Sequence, residues 1–273
     1  MVLSILSYQF IQNAVIASIL ASIICGIIGV IIVEKKLVMM SGGIAHTSYG
    51  GIGLGYLLGF EPIYGAFLIS VLAAFGIGYI KRNGRTRSDV VIGLFWSLGM
   101  ALGILFISLM PGYPPDLSSY LFGSILSVTK ADLRIMSIFT LIVVLVVIIL
   151  FDYWKSYMFD DEFAYILGIN TAFLEYLLFE LIAMSVVVLI RVVGIILVLA
   201  LFTAPPAIVE FLSNNLKSRM IISVIIGNIF CLSGLFFSYI LNFPSGAAIV
   251  ILSAISYFTI YVLFSVKSRI KTK

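Results

Sequence analysis

His46 is the only histidine of this chain. It stands in VMMSGGIAHTSYGGIGLGYLLG, residues 38–59, an apolar stretch, with Thr47, Ser48 and Tyr49 directly after it. Imidazole is the commonest zinc ligand and also binds manganese and iron. One imidazole does not hold a metal ion alone, so oxygen donors must join it. The plainer reading is a histidine hydrogen-bonded to a neighbouring carbonyl. In an apolar run of this length an ionisable group points first to a pathway.

The other ionisable groups inside long apolar runs are few: Glu175, Glu180, Arg191 and Glu210. Glu175 is within a turn of the run's edge and needs no special role. Glu180 is about 12 Å along a helix from Ala172 at 1.5 Å per residue. It must be protonated, paired or turned to an aqueous path, so it is a possible pathway residue, with a structural hydrogen bond equally open. Arg191 sits at the far end of its run and reads as a snorkelling anchor.

Several chemistries have no residues to run on. No GxxxxGK[ST] occurs, so the SGG of Ser41–Gly43 is not part of an ATPase. HExxH, CxxC and GxSxG are also missing. GGIGLG lies inside an apolar run with no strand before it, so it is not a dinucleotide fingerprint. The chain is not expected to be an enzyme or to hold a cofactor. Cys25 and Cys231 sit in apolar runs and read as small buried hydrophobes.

The elements around these residues carry their own signals. Gly51, Gly55 and Gly59 are spaced by four, a ladder that lets helices pack closely. TAPPAIVEF, residues 203–211, holds Pro205 and Pro206, which remove two backbone donors and predict a kink, a common way to build a gate. Residues 152–171, DYWKSYMFDDEFAYILGINT, form a polar interruption. It predicts a short amphipathic helix with Phe163, Ile166, Leu167 and Ile169 on one side and Gly168 as C-cap. Its acidic surface would be repelled by an anionic leaflet, which favours docking of a partner over lying on lipid.

The composition sets the class. Of 273 residues, 62% are hydrophobic and 10% charged, with mean hydropathy +1.24. Soluble domains are roughly 45–50% apolar and about 25% charged. The chain is therefore an all-α integral membrane protein, a polytopic helical bundle. Its net charge of +4 comes from loop residues and indicates no nucleic-acid surface. No basic n-region precedes the first apolar run, so no cleavable signal is expected.

Spans of about 20 apolar residues are predicted near 8–33, 43–60, 63–80, 90–110, 133–151, 172–190, 192–211, 219–241 and 246–266. That is about nine, or eight if the short second and third merge. One transmembrane domain, 1–273, is expected, with the loop 152–171 exposed. The basic clusters are Lys35/Lys36, Lys81/Arg82/Arg85/Arg87, Lys155, Lys217/Arg219 and Lys267/Arg269/Lys271/Lys273. With nine spans all of them fall on one side, so the C-terminus is expected in the cytoplasm. On the opposite side, residues 111–132 begin with a proline turn, and YLFGSIL within them predicts a short interfacial or re-entrant helix.

Four stretches now point to a family: SGGIAHTSYGGIGLGYLLG, DDEFAYILGIN, VGIILVLALFTAPPAIVEFL and PSGAAIVILSA. In this order the chain resembles the membrane permease subunit of ATP-binding cassette importers for zinc, manganese and iron(II), over nearly its whole length. The resemblance implies a type II architecture like that of vitamin B12 permeases, and a homodimer with one path on its two-fold axis. It implies two separate ATPase subunits docked on Asp161, Glu162, Phe163, Ala164, Gly168, Ile169 and Asn170. It also implies an extracytoplasmic metal-binding protein, and the plasma membrane of a prokaryote. There is one departure. Members of this kind carry an aspartate four residues before the histidine, and here that residue is Gly42. Only His46 carries over as a metal ligand. The alternatives are a siderophore or cobalamin permease of the related larger family, and a secondary transporter or channel that works without ATP.

Overall fold

The computed structural model describes residues 8–83, 87–112, 120, 123 and 125–271, and only the backbone of 267–271. Arg85, Lys273, Pro114, Pro115 and part of YLFGSIL lie outside the described residues. The described chain is helical: α1 (Gln9–Glu34), α2 (Val38–Leu58), α3 (Pro62–Asn83) and α4 (Ser88–Ser108) come first. A single 3-10 turn follows at Ile125–Ser127. Then come α5 (Lys130–Ile149), α6 (Phe151–Phe159), α7 (Asp161–Ile166), α8 (Thr171–Glu210), α9 (Leu216–Leu241) and α10 (Ser245–Lys271).

Helix α8 has 40 residues, about 60 Å if straight, twice the hydrocarbon thickness. It is not straight. Gly194 leaves the helical region, at φ 77° and ψ 160°, a conformation open chiefly to glycine. Ion pairs fix the direction of each half. Glu175 binds Lys81 and Arg82 at the end of α3, whereas Arg191 binds Glu61, just before the start of α3. The first half, α8a, therefore runs antiparallel to α3. The second half, α8b, comes back: Phe202 and Pro206 pack on Gly29 near the end of α1, and Arg219 beyond it pairs with Glu34. The chain reverses at Gly194, and the two predicted spans 172–190 and 192–211 are the two arms of this hairpin.

Seven described helices are long and apolar enough to cross a membrane, counting α8 once. Helix α2 has 21 residues, but its glycines, hydroxyls and His46 lower its hydropathy. Adding α2 and dividing α8 at Gly194 recovers the nine predicted spans. Helices α1 and α8 form the centre, each with 67% of its most apolar window buried; α10 has 11% and lies at the edge. Lys35, Lys81, Arg82, Asp161, Glu175 and Arg219 gather at one end, here the basic end. Glu61, Asp132 and Arg191 mark the far end.

Two expectations about local structure change. The backbone stays helical through Pro205 and Pro206, and the residue that breaks the helix is Gly194. The carbonyl of Phe202, which loses its helical donor to Pro206, faces Gly29. A methyl on Gly29 would sit 2.8 Å from that oxygen, so the missing side chain lets α1 cover the irregular turn. Gly59 does not belong to the packing ladder. At φ 74° with nothing within 4 Å of a built Cβ, it is the left-handed cap of α2.

Candidate translocation site and docking face

Helix α2 is gripped on two sides through residues without side chains. Toward α3, a methyl on Gly51 would overlap the Gly65 carbonyl, and one on Gly55 would lie 2.6 Å from Pro62 Cα. Gly51 and Gly55 thus lie where α2 and α3 approach most closely. Toward α4 a second row does the same: methyls on Gly50 and Gly53 would lie 2.9 Å and 2.6 Å from the carbonyl oxygens of Gly99 and Gly103. Such approaches need small residues on both helices. The second row has the i, i+3 spacing of another helix face, and that spacing was its one signal in the sequence.

The grip fixes His46. It lies about 12 Å from the basic end of α2, and Trp96 lies the same distance up α4. Their rings stack, with centroids 4.2 Å apart and planes 8° from parallel. The Nδ1 atom of His46 is buried without a hydrogen-bond partner. Orphaned buried polar atoms are rare in folded proteins and need a reason. Thr47 and Ser48 do not supply one, since their hydroxyls donate to the carbonyls of Gly43 (2.7 Å) and Ala45 (2.6 Å). Gly42, one turn below His46, is open enough that a methyl would touch Trp96 Cζ3 at 3.4 Å and Leu199 Cδ2 at 3.8 Å.

Glu180 lies at a similar depth on α8a, about 14 Å from Thr171. Its Oε1 is buried and has no partner, so the structural hydrogen bond weighed for this oxygen is not made. Glu175, by contrast, accepts from Lys81 at 2.6 Å and Arg82 at 2.9 Å and is structural. Arg191 pairs with Glu61 at 3.0 Å and Asp132 at 3.4 Å. It ties α3, α5 and α8a together at the far end, in keeping with an anchor. Cys25 and Cys231 are buried free thiols. Among the described residues no group of three or more His, Cys, Asp and Glu side chains is placed to hold a metal ion.

The loop at the basic end is built as a knob. Asp160 caps α7, its Oδ1 accepting from the amides of Glu162 (2.9 Å) and Phe163 (3.0 Å). Ala164, fully buried, seats the helix. Gly168, at φ 81°, ends it, and the Ile169 amide donates back to Ala164 at 3.1 Å, a helix-end pattern that glycine permits. Asn170 Oδ1 then caps α8, accepting from the Phe173 amide at 3.0 Å. Ile169 turns inward onto the core, so it leaves the predicted apolar side. Phe163, Ile166 and Leu167 stay on the outside, joined by Phe159 and Tyr165; Phe159 is 89% exposed and Ile166 78%. A cavity of ≈ 830 Å³ opens beside them, lined among others by Glu34, Lys155, Phe159, Phe163, Lys217 and Arg219. Exposed apolar groups in a charged rim mark an interaction surface.

Lys35 connects this knob to α2. Its Nζ pairs with Asp161 and lies 3.8 Å from the centroid of the Tyr157 ring. Burial, followed by the charges of Glu175 and Asp161, holds the Tyr157 phenol well above its usual range.

Comparison with known proteins gives one consistent answer. The profile of the ABC 3 transport family matches residues 7–264. An uncharacterized membrane protein of Synechocystis sp. is 40% identical over 252 residues, covering 92% of this chain and 90% of that protein. The manganese transport system membrane protein MntC of Halalkalibacterium halodurans is 34% identical over 269 residues, covering 98% and 92%. PsaBC from Streptococcus pneumoniae, solved in complex with Fab, superposes with a TM-score of 0.83 at 32% identity, covering 93% of this chain and 92% of that one. A profile match over nearly the whole length, joined to a fold shared at this level, means that the chain belongs to the ABC 3 transport family.

Proposed function

We propose that this chain is the permease subunit of an ATP-binding cassette importer that carries a divalent metal ion, manganese, zinc or iron(II), into the cytoplasm. The observation that carries the reading is His46: a ring nitrogen without a partner, about 12 Å up a membrane helix. Hydrocarbon does not tolerate such a group without a use. A relative bears the name of a manganese transport system membrane protein, which favours manganese as the first ion to test.

A site of one imidazole per chain fits two copies about a two-fold axis, each giving one nitrogen to a shared path. Weak ligation suits a site that must release its ion. The basic end faces the cytoplasm on the charge rule. Two ATPase subunits dock on the α7 knob, through Asp161, Glu162, Phe163, Gly168 and Asn170; Ala164, fully buried, and Ile169, turned onto the core, hold the knob in place instead of touching the partner. An extracytoplasmic metal-binding protein loads the opposite face. The bend at Gly194, with Pro205 and Pro206 on the inner arm, gives α8 the joint that a gate requires.

The test is ATP-dependent uptake of manganese, zinc and iron(II) into vesicles holding the purified complex, for wild type and His46→Ala. Wild-type uptake should need ATP, and the variant should lose most of it for the transported ion. Equal uptake by both proteins for all three ions removes His46 from the mechanism. Uptake without nucleotide refutes the importer reading.

A further inference from the structure

The His46 site has a second member that no metal-ligand pattern would find, namely Trp96. Resting on the transport reading above, we propose that Trp96 is the positioning and selectivity residue of this site. It holds the imidazole by its face, beside a position of α2, Gly42, that presents no second donor.

Three observations meet here. First, the near-parallel stack at 4.2 Å covers one face of the imidazole. Metal ions bind imidazole along the nitrogen lone pair, in the ring plane, so the stack fixes the ring without blocking ligation. Second, the indole reaches past His46 to Gly42, where even a methyl would be in contact with it. Residue 42 is the i−4 neighbour, the position from which a side chain on the same helix face would join His46 on an ion. Here that position is glycine, in ordinary contact range of the indole and Leu199, so α2 supplies no carboxylate to the imidazole from below. Third, the buried Nδ1 finds no other partner.

The consequence is selectivity. Magnesium and calcium require oxygen ligands, whereas manganese, iron and zinc accept imidazole. A nitrogen donor beside an indole gives magnesium or calcium no oxygen to replace its water. The negative face of the indole also stabilises the positive charge that the imidazole gains on ligating a cation.

The chain provides its own probe. It has two tryptophans. The other, Trp154, is buried with its Nε1 unpaired, so Trp154→Phe breaks no hydrogen bond and leaves Trp96 as the sole indole. In the purified full chain in lipid nanodiscs, manganese(II), which is paramagnetic, should quench Trp96 fluorescence saturably. Magnesium should not, and adding His46→Ala should abolish the quenching. In the vesicle assay, Trp96→Leu should raise the half-saturating manganese by up to about tenfold, the worth of one stacked pair. It should also let magnesium compete. Trp96→Phe, which keeps a ring, should stay within about threefold of wild type on the same scale. If manganese leaves Trp96 fluorescence unchanged while uptake still depends on His46, this proposal falls and the transport reading stands. If Trp96→Leu transports with unaltered preference for manganese over magnesium, the selectivity role is wrong. If uptake does not depend on His46, the transport reading itself fails.

Discussion

Gly53→Ala tests whether backbone contact between α2 and α4 sets the geometry of the His46 site. The added methyl would lie 2.6 Å from the Gly103 carbonyl oxygen and 2.9 Å from Gly103 Cα. Both are backbone atoms, so no side chain can rotate away. Ordinary contact begins near 3.4 Å, and the helices must part locally by about 0.8 Å. Overpacking of this kind costs about 1–3 kcal/mol, offset by up to about 1 kcal/mol of helix propensity gained over glycine. In a domain of this size each kcal/mol moves the midpoint by roughly 2–4 °C, so melting should drop by up to about 8 °C with the full propensity gain subtracted and up to about 12 °C without it. The same parting shifts His46 away from Trp96 by a comparable distance and should reduce uptake beyond the loss of folded protein. The control is Gly93→Ala, on α4, where nothing lies within 4 Å of the new methyl; it should melt at or slightly above the wild type. The assay is thermal unfolding of the detergent-purified chain, paired with vesicle uptake. If Gly53→Ala matches Gly93→Ala in both measurements, the close approach of α2 and α4 does not govern the site.

Two further perturbations separate structure from docking. Glu175→Ala leaves Lys81 and Arg82 facing each other with the shared carboxylate gone. A loss of about 1–3 kcal/mol is expected from these partly exposed charged bonds, read as a lower melting midpoint that Glu175→Gln only partly restores; a variant that melts like wild type would show the pairs to be idle. Phe163→Ala with Ile166→Ala removes two exposed side chains and should move stability by no more than about 0.5 kcal/mol, yet co-purification of the ATPase should be lost. If the ATPase still co-purifies in full, the knob is not its seat.

The spans were legible because lipid imposes one rule on every helix, a run of apolar residues of the right length. Even the two arms of α8 could be separated this way, although their boundary was set at Arg191 and the turn is at Gly194. The paired prolines drew attention as helix breakers, but a proline removes only its own donor, and α1 offers a glycine at the spot where the stranded carbonyl emerges. Local chemistry announced the α7 knob through a closing glycine and the apolar residues before it; the cap by Asp160 came only with the structure. Partners across helices were not legible. Periodicity shows which face of α2 carries Gly50 and Gly53, not that Gly99 and Gly103 lie opposite. Trp96 was hidden for the same reason. An aromatic ring within a span usually faces lipid or core, and only the fold brings residue 96 against residue 46.

The tether at Lys35 has a mechanical meaning. Lys35 stands three residues ahead of α2, and its ammonium is shared between Asp161 on the knob and the ring of Tyr157. If the knob is the ATPase seat proposed above, a push on α7 reaches the foot of α2 through this one side chain, and Lys35→Ala should lower uptake while leaving ATPase co-purification intact.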